Sequence, residues 1–218
     1  MKRVTIICEG PTEKEFCNIT LGNYFKPLNI YLHNPLIKRS GGGIVPWSNL
    51  KQQIENHLNG DTNAYVTTLI DYYGIPDKFN YPEWEKSKGI VDKFLRMDFL
   101  ENAMKKDISN DINYRFLPYI QLHEFEGLLF NNISVFDEQF EQNELLDRDE
   151  LIKTINSFEN PEMINNDPSN APSKRLDRLI KGYNKVVFGD IIAGSIGLSR
   201  IRNKCTRFNN WIEKIENL

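Results

Sequence analysis

At 218 residues, with 40% of them apolar, the chain is long enough for one sizeable core, and no apolar run approaches the ~18 residues a membrane-spanning helix needs. The net charge of −3 hides a segregation: from Ala171 onward ten Lys or Arg stand against four Asp or Glu, which leaves residues 1–170 at −9. An acidic body that can hold cations is thus followed by a basic segment that could meet phosphates or simply be solvated. Cys8, Cys17 and Cys205 are an odd number at no metal-like spacing, and the start MKRVTIICEG lacks a signal-peptide pattern, so reduced thiols in a cytoplasmic protein are expected.

Residues 2–8 (KRVTIIC) form a β-branched run that predicts a buried strand. Thr12 followed by Glu15 matches a capping box, predicting a helix from Thr12 to about Phe25, ahead of Pro27. Residues 29–37 predict a second strand, which Pro35 marks as an edge. Gly41–Gly43 predict a loop, and Pro46–Leu58 a helix with Leu50, Ile54 and Leu58 on one face. Residues 64–70 (AYVTTLI) are the clearest strand, and Asp71 ends it as Glu9 ends the first. After a loop from Tyr72 to Lys88 come a helix over about 89–107 and a strand over 114–122, which runs into the acids of HEFE. This alternation predicts an α/β fold, a mostly parallel sheet with helices on both faces. From Ile133 on the pattern is mainly helical, with a polar loop at 160–173 and a last helix from about Gly197 to Glu216. The expected organisation is an α/β core over 1–132 and a helical extension over 133–218 packed on it as one unit.

Glu9, Asp71, Glu124 and Glu126 all fall where a predicted strand stops. In an open α/β sheet ligands bind at the carboxyl ends of the strands, so a parallel arrangement brings these acids to one edge. Converging carboxylates repel unless a cation lies between them, and Mg²⁺ takes hard oxygen ligands of this kind. Glu13, four residues after Glu9, is either a further ligand or an ordinary first-turn acid, as Glu15 is at its capping position. As a strand HEFE would put Glu124 and Glu126 on one face; as a helix it would separate them by ~200°. His123 reads as a packed or hydrogen-bonded histidine, because no second histidine lies at ligand spacing.

The ordered set EGPTEKEF (9–16), LIDYYGIP (69–76), HEFEGLLF (123–130), APSKRL (171–176) and GLSRIRNKCTRFNNWIEKI (197–215) resembles the Toprim superfamily, the metal-binding domain of topoisomerases, primases and overcoming-lysogenization-defect nucleases. Within it the chain looks closest to the bacterial DUF4276 type. The resemblance implies that Glu9 acts in acid/base chemistry or at a metal, and that Asp71 is the first aspartate of an Asp-x-Asp pair binding Mg²⁺ (or Mn²⁺). Tyr73 stands in the place of the second aspartate, so Glu124 or Glu126 would have to replace that ligand. The implied activity is hydrolysis of a phosphodiester in DNA or RNA, as an effector in bacterial anti-phage defence beside a separate ATPase. The chain itself carries no GxxxxGK[ST] motif. The alternative is a non-catalytic binding module that partners such an ATPase.

Lys174 and Arg175, at a predicted helix start, are the candidates to offset charge on a scissile phosphate, or else form a solvated face. Arg178, Arg200, Arg202, Lys204 and Arg207 complete a candidate nucleic-acid surface. In the last helix Ile201, Cys205, Phe208, Ile212 and Ile215 recur at helical spacing, which predicts packing for that face and leaves its basic residues open.

Overall fold

The apolar run that opens the chain forms strand β1, Lys2–Cys8, in the computed structural model, which describes residues 1–38, 43–165 and 168–218. Gly41 and Gly42 of the predicted loop, and Asn166 and Asp167 of the polar one, lie outside the described residues. The helix after β1 starts one residue earlier than the Thr12 cap predicts: α1 is Pro11–Phe16, with Pro11 in the first turn and Gly10 as N-cap. Proline suits that position because its missing N–H would be unpaired there anyway. Glu13, rather than Glu15, closes the box, accepting the Gly10 N–H at 2.8 Å. The chain stays helical through a π turn at Cys17–Leu21 into α2, Gly22–Phe25.

Strand β2 is only Ile30–His33, shorter than the sequence predicts, followed by α3, Trp47–Gly60, and β3, Ala64–Asp71. Within the predicted loop 72–88 lies a short helix α4, Trp84–Ser87. Helix α5, Lys93–Asp107, begins later than position 89 because the Asp92 carboxylate caps the N–H groups of Phe94 and Leu95. The predicted strand 114–122 is divided by Pro118, which has no N–H to give a ladder, into β4, Phe116–Leu117, and β5, Ile120–Gln121. The remainder comprises α6 (Ile133–Gln139), α7 (Arg148–Ser157), α8 (Pro172–Leu179), α9 (Lys185–Ile196), α10 (Leu198–Lys204) and α11 (Thr206–Glu216). The last two replace the single helix predicted over 197–216; the chain breaks at Cys205.

All the named strand pairs are parallel, in the order β2-β1-β3-β4, with β5 also beside β3. Strand residues alternate between faces, so each face has its own core. Val4, Ile6, Cys8 and Leu69 pack with Phe16, Phe25 and, from the C-terminal helices, Phe208, Trp211 and Ile215. Ile7, Val66, Ile70 and Ile120 pack with Leu50, Ile54 and Leu58 of α3 and Met97, Leu100 and Met104 of α5. The architecture is therefore α/β, a parallel sheet with helices on both faces. Among the described residues no helix is long and apolar enough to cross a membrane.

Helix α9 lies against α1 at Gly189, where an added Cβ would stand 2.8 Å from Cγ2 of buried Thr12. Gly189→Ala is therefore expected to destabilise the fold by about 1–3 kcal/mol through overpacking. A melting curve measures it, and an unchanged midpoint would show that the contact relaxes freely.

Candidate active site

The parallel register brings Glu9, just past β1, beside Asp71 at the end of β3, with the turn after β5 next to both. In that turn Glu124 is extended (φ −139°, ψ 152°) and caps a 3₁₀ segment, Phe125–Leu129, that carries Glu126. HEFE is thus neither the strand nor the α-helix that its sequence allows. His123, just before it, holds a φ of 65°, a conformation rare outside glycine.

Glu9, Asp71 and Glu124 are each tied to a backbone amide of a neighbouring segment. Glu9 Oε2 accepts the Asp71 N–H at 3.0 Å, Asp71 Oδ1 accepts the Phe125 N–H at 3.0 Å, and Glu124 Oε2 accepts the Ser173 N–H at 2.9 Å at the start of α8. The carboxylates link β1 to β3, β3 to the turn after β5, and that turn to α8. Glu126 is 3% exposed, and its Oε1 has no hydrogen-bond partner among the described residues. The same holds for the buried Thr12 Oγ1 and the Tyr183 hydroxyl, the latter close enough to Glu126 and Glu124 for both to raise its pKa beyond the effect of burial.

The electrostatics show that these acids share one space. Burial pushes the Glu9 carboxyl up to about 7; the Asp71 amide pulls the other way, and Glu13 and Glu124 add repulsion. Glu126 is likewise raised to about 7, by burial and then by Glu13. Burial raises Glu13 as well. Asp71 is held well above the ordinary carboxylate range by burial and by Glu9, Glu13, Glu126 and Glu124 in turn. Desolvation and like charge are the two causes that favour the neutral acid.

One cation opposes this, and sequence reasoning missed it. Lys185, exposed at the first position of α9, lowers the carboxyls of Glu9, Glu13 and Glu126. Asn184 caps Val186 and Val187 ahead of the apolar run VVF and so marks where the helix starts, but nothing local to it places Lys185 beside the acids.

The other basic residues are distributed differently from the predicted surface. Lys174 is exposed next to Ser173, and its ammonium has no ion pair or hydrogen bond to a described residue. Arg175 is turned inward, with Nε donating to the Asn170 carbonyl at 2.8 Å. Arg178 forms a two-pronged ion pair with Glu150. Arg202 binds Glu216 and Tyr24, while Lys204 donates to the Asn131 carbonyl at 2.7 Å. Arg200 remains exposed, with one N–H on the Ser195 carbonyl. Arg207 corrects the sequence reading outright. It is 6% exposed and locked to Asp98 and Glu101, so it belongs to the core and not to a nucleic-acid face. His123 is buried, 2.9 Å from the Lys93 ammonium, and burial followed by that ammonium holds it down to about 4.

The donors are of the chemical kind a hard cation takes. They are carboxylate oxygens, the preferred ligands of Mg²⁺, and an amide fixes one oxygen each on Glu9, Glu13, Asp71 and Glu124 while Glu126 Oε1 is unpartnered. Among the described residues no three acids are already set around a common point as ligands of one ion.

The family described as "Domain of unknown function (DUF4276)" matches residues 8–216. Two solved structures are similar to the chain over nearly its whole length. The C-terminal region of the Burkholderia pseudomallei OLD protein is 18% identical, with a TM-score of 0.49, covering 98% of this chain and 97% of that one. The C-terminal region of the Xanthomonas campestris pv. campestris OLD protein is 16% identical, with a TM-score of 0.44, covering 99% and 93%. No curated protein matches the chain.

Proposed function

The chain belongs to the DUF4276 family, and from that premise we propose that it is a metal-dependent phosphodiesterase of the Toprim type, acting on DNA or RNA. The observation that carries this reading is the convergence of Glu9, Glu13, Asp71, Glu124 and Glu126 at one sheet edge, seen in the carboxyls of Glu9, Glu13, Asp71 and Glu126, each raised by burial and by one or more of the neighbouring acids. Asp71, Glu13, Glu124 and Glu126 would hold Mg²⁺ or Mn²⁺, with Glu9 either a ligand or the base. When bound, the ion supplies charge stabilisation at the phosphate and acidifies water. Glu9, with one oxygen fixed by Asp71 and its carboxyl raised to about 7, is suited to take a proton from water near neutral pH. Lys185, and Lys174 at the start of α8, are the exposed cations that would offset charge developing on the phosphate. In this reading the protein acts in anti-phage defence beside a separate ATPase.

Tyr73, 41% exposed where the Toprim pattern has an aspartate, favours a second reading as a binding module for such an ATPase. Incubating the purified protein with plasmid DNA and with tRNA, in Mg²⁺, Mn²⁺ or EDTA, separates the two. Cleavage that EDTA stops and Glu9→Gln removes supports the enzyme. Cleavage equal in Glu9→Gln would sink the site assignment, and none under any condition, with the ATPase added, would favour the binding module.

A further inference from the structure

Helices α5 and α11 line a cavity of about 830 Å³ that contains none of Glu9, Glu13, Asp71, Glu124 and Glu126. Its floor is Leu117, Pro118 and Tyr119, where Pro118 interrupts the strand, together with Trp211 stacked on Tyr119 at 4.6 Å. Phe94 stands partly exposed at one end. The volume is in the range of small-molecule sites, roughly 300–1,000 Å³.

The charges in its walls are unevenly committed. Asp98 and Glu101 are both spent on Arg207, and Glu213 accepts from Asn209 at 2.9 Å. Lys105 and Lys214 line the same cavity with no hydrogen bond or ion pair to a described residue. The side-chain amides of Asn102 and Asn210 are free in the same sense, and each offers a donor and an acceptor.

We propose that the cavity between α5 and α11 is a second ligand site, for a phosphorylated nucleoside of mononucleotide size. The ammonium groups of Lys105 and Lys214 take the phosphate. Asn102 and Asn210 meet the polar edge of the base, and Phe94 meets its apolar face. A bare phosphate would leave the amides and the aromatic end unused, and an uncharged nucleoside would leave both ammonium groups unpaired.

The test is isothermal titration of the full chain with AMP, adenosine and inorganic phosphate, in EDTA so that no cation bridges a phosphate to the acids of the other site. AMP is expected to bind at least tenfold more tightly than adenosine or phosphate. That affinity should fall tenfold or more in Lys105→Glu/Lys214→Glu and persist in Asp71→Asn, with wild-type circular dichroism confirming that the variants fold. No heat with AMP, equal affinity for phosphate alone, an unaffected lysine variant, or loss in Asp71→Asn would each overturn the proposal.

Discussion

Replacing Asp71 with asparagine is expected to make the protein more stable while abolishing the proposed cleavage. The Asp71 carboxyl is pushed up by burial and by four neighbouring acids, so without a cation its charge strains the fold. Asparagine keeps an oxygen for the Phe125 N–H and removes that charge. Removing a carboxyl whose charged form is disfavoured by burial and by four neighbouring acids removes that cost, so the gain is expected as a higher Tm in EDTA. The rate is expected to fall by at least ~10²-fold, the upper range seen when groups merely supporting a metal ligand are removed.

The pH dependence has a definite sign. Glu9 and Glu126 are raised to about 7 in the folded protein from roughly 4.3 in the unfolded chain. Between those values the folded state holds protons that the unfolded state has released. Stability in EDTA is therefore greatest below pH 4–5, as far as these groups are concerned, and falls as pH rises through 7. Bound Mg²⁺ would remove that loss, so its stabilising effect should be large at pH 8 and small at pH 5. Melting curves of wild type and Asp71→Asn at both pH values, with and without Mg²⁺, check all of this. A lower Tm for Asp71→Asn in EDTA, or equal Mg²⁺ effects at the two pH values, would contradict it.

Much of this site was legible because the acids follow strands whose composition leaves little choice. Val4 to Cys8 and Ala64 to Ile70 are nearly unbroken apolar and β-branched runs, suited to a parallel sheet covered on both faces. An acid at the end of each must then sit on the same edge. HEFE was less legible, since both of its regular readings were wrong: Glu124 stays extended to cap a 3₁₀ turn, and the Asp71 carboxylate fixes that turn through the Phe125 N–H. No local spacing encodes a partner 54 residues away. Lys185 was missed for a similar reason, because only the packing of α9 on α1 brings its ammonium to the acids. The basic C-terminal segment misled most at Arg207. Its neighbours alternate between apolar and polar, and nothing local shows that Asp98 and Glu101, more than 100 residues earlier, will enclose it.

That placement gives the second large effect: Arg207→Met is expected to cost about 3–5 kcal/mol, the usual loss when one partner of a buried pair is removed. Glu101 is 5% exposed and also accepts the Ile120 N–H at 2.9 Å, so it cannot turn out to water without releasing β5. Its carboxyl already stands at about 7 because burial outweighs the attraction of Arg207. Without the guanidinium it must rise further, and protonation is then the cheapest way to keep it inside. The loss should therefore be largest at pH 8, where Glu101 would have to stay charged or take up a proton, and smaller at pH 5, where it is already neutral. Arg200→Ala, on the exposed surface, should stay within about 0.5 kcal/mol at either pH. Urea denaturation of the two variants at both pH values separates a core arginine from a surface one. An Arg207→Met loss below 1 kcal/mol at pH 8, or one that does not change with pH, would return Arg207 to the surface role that its sequence neighbours suggest.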